Sequence, residues 1–262
     1  MIRIGDYVIE QGRFPDNTLL MKMPDMETLE QQKQLVVWNY ESDTELFTLI
    51  CVKKYFKDLP LVLYMPYCPH ARQDRVKTPQ DVFTLKYFCE VINDLHFQSV
   101  VIEDPHSNVC TALLDNVVVI EAKCHIDAVL QVLNNDDLVM CYPDEGAMKR
   151  YSGMINKPYA FGVKKRNWEN GEILGLDLIN GDVVKDKDVL IVDDICSRGG
   201  TFYHTAKALK EAGAKNIYLY VTHCEQTIFK GDLMDSDLIQ NIFTTTSIFP
   251  SNIERGKIIL VP

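Results

Sequence analysis

The stretch Val189-Leu190-Ile191-Val192-Asp193-Asp194-Ile195-Cys196-Ser197-Arg198-Gly199-Gly200-Thr201 joins an apolar run to two acids, two glycines and a threonine, and a helix-forming segment from Phe202 to Gly213 follows at once. Apolar, largely β-branched residues in a row suit a strand buried on both faces of a parallel sheet, and ligands of open α/β sheets collect at the carboxyl ends of such strands. Asp193 and Asp194 stand at that end. Gly199 and Gly200 let main-chain N–H groups come close to a phosphate, Thr201 adds a hydroxyl, and the following helix presents the positive end of its dipole. The two acids suit the hydroxyls of a ribose. The segment therefore reads as a sugar-phosphate loop set between a strand and a helix.

Working outward, apolar β-rich runs recur at Leu35–Trp38, Leu61–Met65, Ser99–Ile102, Val117–Ile120, Leu138–Cys141 and Ile217–Val221, with helical patterns between them. The clearest helix is predicted from Pro79 to about Leu95, with Thr78 as N-cap, Pro79 at the first helical position and Val82, Leu85, Cys89 and Ile92 on one face. Strands alternating with helices of this length predict an α/β fold of two Rossmann-like units, each with a mainly parallel sheet covered on both faces. The boundary is placed near residue 130, giving units 1–130 and 131–262. The polar, glycine-containing stretch Lys164 to Gly171 is expected to be a mobile loop.

Composition narrows the function classes. With 262 residues and 47% hydrophobic content the chain can build two cores, and a formal charge of -10 argues against non-specific nucleic-acid binding. Anionic substrates then need local cations or Mg²⁺. The eight cysteines form no C-x-x-C pair, which indicates neither a zinc site nor a disulfide framework, and reduced intracellular thiols fit best. Arg3, Asp6 and Glu10 interrupt the opening residues, so no secretory segment is read there, and no apolar run is long enough to span a membrane. A cytoplasmic protein without membrane or nucleic-acid partners is expected.

A second loop follows the strand Leu61–Met65, namely Pro66-Tyr67-Cys68-Pro69-His70-Ala71-Arg72-Gln73-Asp74-Arg75. Two guanidiniums flanking an amide and a carboxylate offer fixed forks for polyphosphate oxygens and polar partners for a base. No G-x-x-x-x-G-K-[ST] sequence occurs, so any ATP is held without a P-loop. The Ala71-Arg72-Gln73-Asp74-Arg75 run resembles the signature of the ribose-phosphate pyrophosphokinases, or phosphoribosyl pyrophosphate (PRPP) synthetases. The Asp193–Thr201 segment resembles the PRPP loop that they share with phosphoribosyltransferases. Arg13-Phe14-Pro15-Asp16-Asn17-Thr18 looks like the family's Arg-Phe-x-Asp-Gly-Glu loop, with Thr18 in place of the glutamate.

The resemblance implies further roles. Phe14, Asp16, Arg72, Gln73 and Asp74 would bind ATP, the first two from a neighbouring subunit. Asp193, Asp194, Ser197, Arg198, Gly199, Gly200 and Thr201 would bind ribose 5-phosphate, with Ser197 and Arg198 replacing an acid and a threonine. His106 and Asp144 would serve Mg²⁺. Asp94-Leu95-His96 matches the family's Asp-Leu-His as text, but His106 follows the strand Ser99–Ile102, where the family places its metal histidine. Lys164 and Arg166 resemble the cationic pair of the family's catalytic loop. The implied activity is diphosphoryl transfer from Mg-ATP to ribose 5-phosphate, giving PRPP and AMP, in a homo-oligomer of at least two and up to six copies. The active site would lie between the two units. A non-catalytic regulatory relative and a PRPP-consuming phosphoribosyltransferase are the alternatives. The chain begins shortly before Arg13 and stops soon after Thr246, so the resemblance does not by itself carry over the family's interfaces and allosteric sites.

Overall fold

The structure is a computed structural model that describes residues 1–24, 34–166, 173–252 and 256–262, with the side chains of residues 164–166 and 173–175 outside the description. The chain divides into two units, Met1–Glu121 and Ala122–Pro262. Residue 130 lies within the first helix of the second unit.

In the first unit, β1 (Ile2–Ile4), β2 (Tyr7–Val8), β5 (Leu35–Trp38), β6 (Val62–Met65), β7 (Ser99–Glu103) and β8 (Val117–Ile120) form a sheet in the order β2-β1-β5-β6-β7-β8. The pairs from β5 to β8 are parallel, whereas β1 is antiparallel to both its neighbours. Short β3 (Gln11–Arg13) and β4 (Leu19–Met21) make a separate antiparallel pair. Because side chains alternate across a strand, Val36, Trp38, Leu63, Met65, Val100 and Ile102 share one face. That face forms a single core with Leu49 and Val52 of α1 (Thr44–Tyr55), Phe88 and Ile92 of α2 (Thr84–Asp94), and Cys110 of α3 (Asn108–Leu113).

Helix α2 begins later than the sequence pattern predicts, at Thr84 instead of Pro79. The reason is Asp81, whose carboxylate accepts hydrogen bonds from the main-chain N–H groups of Lys77 and Thr78 and from the Thr78 hydroxyl. A side chain that satisfies nearby N–H groups in a turn competes with helix formation. Val82, assigned to the core face, is accordingly 53% exposed.

The second unit carries the sheet β11-β10-β9-β12-β13-β14-β15, built from β9 (Val139–Tyr142), β10 (Tyr159–Arg166), β11 (Ile173–Ile179), β12 (Val189–Cys196), β13 (Ile217–Cys224), β14 (Ile242–Thr244) and β15 (Ile258–Leu260). Only the β10–β11 pair is antiparallel. Helices α4 (Lys123–Leu133) and α5 (Glu145–Tyr151) pack Ile126, Val129, Ala147 and Tyr151 with Met140, Tyr142, Leu190 and Val192. Helix α6 (Gly200–Glu211) packs Phe202, Ala206 and Leu209 with Val139, Cys141, Val189 and Ile191, the alternate strand residues. The sheet is thus covered on both faces. From β9 the chain goes one way through α5 to β10, and from β12 the opposite way through α6 to β13. The topological switch therefore lies between β9 and β12, where open α/β sheets bind ligands.

Candidate active site

Both loops at the switch point carry sequence-predicted residues. Strand β12 runs on past its neighbour β9, whose last paired residue is Cys141 opposite Ile191, so Asp193 and Asp194 project beyond the β9 edge. They are still strand residues, with Asp193 paired in register with Val221 of β13. Asp194 is 4% exposed and Asp193 is partly exposed. The Asp193 carboxyl lies well above the ordinary carboxylate range because crowding by protein disfavours its charge, with Asp194 adding repulsion and Asp144 a smaller amount. Three carboxylates thus share one electrostatic environment. Asp144 follows β9 and caps α5, its Oδ1 accepting from the Ala147 N–H at 3.1 Å.

The sugar-phosphate loop is shaped by two glycines. Gly199 caps α6 with φ +81°, in the left-handed region that favours glycine, and a Cβ there would also meet Leu233 Cδ2 at 2.7 Å. A Cβ on Gly231 would lie 1.9 Å from the Arg198 carbonyl oxygen, so the 231–233 segment can buttress the loop only without a side chain at that position. The open side of Gly200 meets nothing within 4 Å, which leaves room for a ligand at the N-terminus of α6. Thr201 stands in the first turn of that helix, Ser197 is partly buried and Arg198 is exposed.

Sequence reasoning missed Arg150. It sits in the last turn of α5, and its Nη1 approaches Asp194 Oδ2 at 3.4 Å, with the two side chains 25% and 6% exposed. Its guanidinium also lies over the Tyr151 ring. A basic residue at a helix C-terminus ordinarily reads as a favourable charge on the dipole, which hid its place beside the acids.

In the first unit, Arg72 and Gln73 are exposed, and the Gln73 Oε1 accepts from Thr84 Oγ1 at 2.9 Å, fixing the loop to the start of α2. Asp74 is 4% exposed and takes two hydrogen bonds from the Arg75 guanidinium, at 2.7 and 3.1 Å. Arg75 first, then Ser107, hold the Asp74 carboxyl below its ordinary value, and His106 contributes to the same effect. His106, in the loop after β7, thus lies within electrostatic reach of Asp74. His106 follows the carboxyl end of β7, whereas His96 is exposed, has φ +51° and precedes the amino end of the same strand. Phe14 and Asp16 occupy the turn between β3 and β4, where the Asp16 Oδ1 accepts from the N–H and the hydroxyl of Thr18 and Phe14 is 49% exposed. Those hydrogen bonds lower the Asp16 carboxyl.

The backbone of Lys164 and Arg166 belongs to β10, paired with β11, so the chain there is strand and not loop; their side chains lie outside the described residues, as do residues 167–172. Among the described residues, no three His, Cys, Asp or Glu side chains converge as a metal cage, and no helix is long and apolar enough to cross a membrane. Mg²⁺ does not require such a cage, because it keeps several waters and binds through one or two carboxylates plus substrate phosphates. The crowded carboxylates of Asp144, Asp193 and Asp194 fit that donor set.

Residues 125–243 match the phosphoribosyl transferase domain family. The chain is 26% identical to the ribose-phosphate pyrophosphokinase of Saccharolobus solfataricus over 82% of its own length and 76% of that protein. It is 27% identical to that of Thermosipho africanus over 96% of its length and 84% of the relative. In fold it resembles the phosphoribosylpyrophosphate synthetase of Mycobacterium smegmatis, with a TM-score of 0.77, 16% identity, and coverage of 97% of this chain and 85% of that one. The chain is thus an α/β protein with a sugar-phosphate loop at its switch point, similar over most of its length to ribose-phosphate pyrophosphokinases and matching the phosphoribosyl transferase domain family over residues 125–243.

Proposed function

We propose that the chain transfers the β,γ-diphosphoryl group of ATP to O1 of ribose 5-phosphate, giving PRPP and AMP. The observation that carries this reading is the convergence of Asp193, Asp194 and Asp144 beside the glycine-lined N-terminus of α6. Such a site has acceptors for ribose hydroxyls on one side and N–H donors for a 5-phosphate on the other. Arg150 holds Asp194 from the side of α5. In the first unit Arg72, Gln73 and Asp74 take ATP, and Phe14 and Asp16 complete its base site.

In the reaction O1 attacks the β-phosphorus, the O1–P bond forms, the bond between the β-phosphorus and the bridging oxygen of AMP breaks, and the O1 proton passes to solvent or a phosphate oxygen. His106 and Asp144 would hold Mg²⁺, which when bound neutralises charge on the phosphates. Lys164 and Arg166 stabilise the migrating group, as positioned cations do in phosphoryl transfer. No side chain is assigned as general base. The test is nucleotide analysis after incubation with ATP, Mg²⁺ and ribose 5-phosphate. AMP and PRPP should appear in equal amounts and only with the sugar present, whereas ADP would overturn the reading. No turnover at all would favour a regulatory relative, for which Ser197 in place of an acid is the specific feature.

A further inference from the structure

Three cysteines of the first unit meet in its core: Cys68, Cys89 and Cys110 are 2%, 1% and 0% exposed. The Cys68 and Cys110 sulfurs stand 2.8 Å apart, less than 1 Å beyond the about 2.05 Å of an S–S bond. Each belongs to a segment following the carboxyl end of one of two adjacent parallel strands. Cys68 follows β6 and leads into Ala71-Arg72-Gln73, and Cys110 lies in α3, which begins just after His106. The arrangement is not explained by the chemistry proposed above, which uses no thiol.

We propose that Cys68 and Cys110 form an oxidisable dithiol whose disulfide locks the segment carrying Arg72 and Gln73 to the segment carrying His106. The oxidant is a hydroperoxide. The Cys68 sulfur attacks one peroxide oxygen, the O–O bond breaks, an alcohol or water leaves with the thiol proton, and Cys68 becomes a sulfenic acid. The Cys110 sulfur then attacks Cys68, the S–S bond forms, the S–O bond breaks, and hydroxide departs as water with the Cys110 proton. Two thiols lose two electrons in all, and the hydroperoxide is reduced by the same two.

In the Cys68–Cys110 contact either sulfur can donate, and contact with neighbouring thiols together with burial pushes the Cys110 and Cys89 thiols up. Burial slows the first step by restricting access, since buried thiols in apolar surroundings react poorly. Cys68 lies in an irregular loop and Cys110 in a helix, so loop opening exposes Cys68 first. The second step needs almost no movement, because the two sulfurs are already in contact.

The experiment is independent of catalytic activity. Full-length reduced protein, freed of reductant and metal, is treated with hydrogen peroxide, unfolded in an alkylating agent and mapped without reduction. The expected result is a Cys68–Cys110 linked peptide and the loss of two alkylatable thiols, retained in Cys89→Ser and absent from Cys68→Ser and Cys110→Ser. The unfolding midpoint of the oxidised protein should rise by several degrees and return on addition of dithiothreitol. Cys68 and Cys110 both alkylated while the exposed Cys124 is oxidised, or a link through Cys89, would overturn the proposal. A correct link with no change in midpoint would overturn the locking role. If a serine variant does not fold, the wild-type peptide map decides alone.

Discussion

The carboxyl of Asp193 is held above its ordinary range by crowding and by the charges of Asp194 and Asp144, so its ionised form costs the fold free energy. Its folded value exceeds the unfolded one. The stability linked to its proton is therefore full below the ordinary carboxylate value and lost as pH rises through the folded value. Asp193→Asn, in buffer with a chelator, should raise stability at neutral pH by on the order of 1 kcal/mol, and the gain should vanish as pH falls toward the ordinary carboxylate range. A gain independent of pH in thermal unfolding would contradict the electrostatic cause. The same variant should raise KM for ribose 5-phosphate about 10–100-fold, the effect of losing a charged hydrogen-bond acceptor. A second contrast tests the histidines. His106→Ala should lower turnover and alter its Mg²⁺ dependence, and His96→Ala, at the opposite end of β7, should change neither. The reverse pattern in steady-state assays would remove His106 from the site.

Elements show where sequence was informative. Strands β5 to β9, β12 and β13 were legible because each carries an apolar run, which in β9, β12 and β13 goes with burial on both faces. β10 and β11 were not, because Lys164 to Arg166 and Asp177 interrupt their apolar character and the strands pair with each other antiparallel. The start of α2 was misplaced because a favourable Thr-Pro pair lost to the Asp81 turn. The sugar-phosphate loop was readable from Asp193 to Thr201, but its support from Gly231 and Leu233 was not, since that contact joins residues distant in sequence. Two glycine substitutions separate support from binding. Gly231→Ala drives a Cβ into the Arg198 carbonyl and should lower the unfolding midpoint, with destabilisation of roughly 1–3 kcal/mol typical of overpacking. Gly200→Ala meets open space within the protein. It should fold normally yet weaken ribose 5-phosphate binding by calorimetry. Equal stability losses in both would mean that the open side of Gly200 is not where the ligand sits.

At the scale of the whole molecule, the residues that resemblance assigns to ATP include two that the first unit holds away from its main sheet. Phe14 and Asp16 cap the β3–β4 ribbon, a two-stranded pair tied at its base by the Thr48 hydroxyl donating to Gln11 Oε1 at 3.1 Å. An isolated two-stranded hairpin is marginal in water, and an aromatic ring 49% exposed at its tip adds nothing to the unit's own core. The Asp16–Thr18 hydrogen bonds shape the tip as an Asx-type turn, which holds Phe14 at its start. Sequence chemistry alone reads Phe14 as core; only the motif points to a nucleotide, and exposure agrees with the motif. If the tip completes a neighbour's ATP site, activity belongs to an assembly. Specific activity should then fall as the protein is diluted below its association constant, and sedimentation at the same concentrations should show dissociation over the same range. Phe14→Ala should raise KM for ATP while leaving the unfolding midpoint nearly unchanged, because the ring is not buried in its own chain. A monomer with full specific activity would remove both the shared site and the ATP role of Phe14, and would leave Arg72 and Gln73 as the nucleotide contacts to test next.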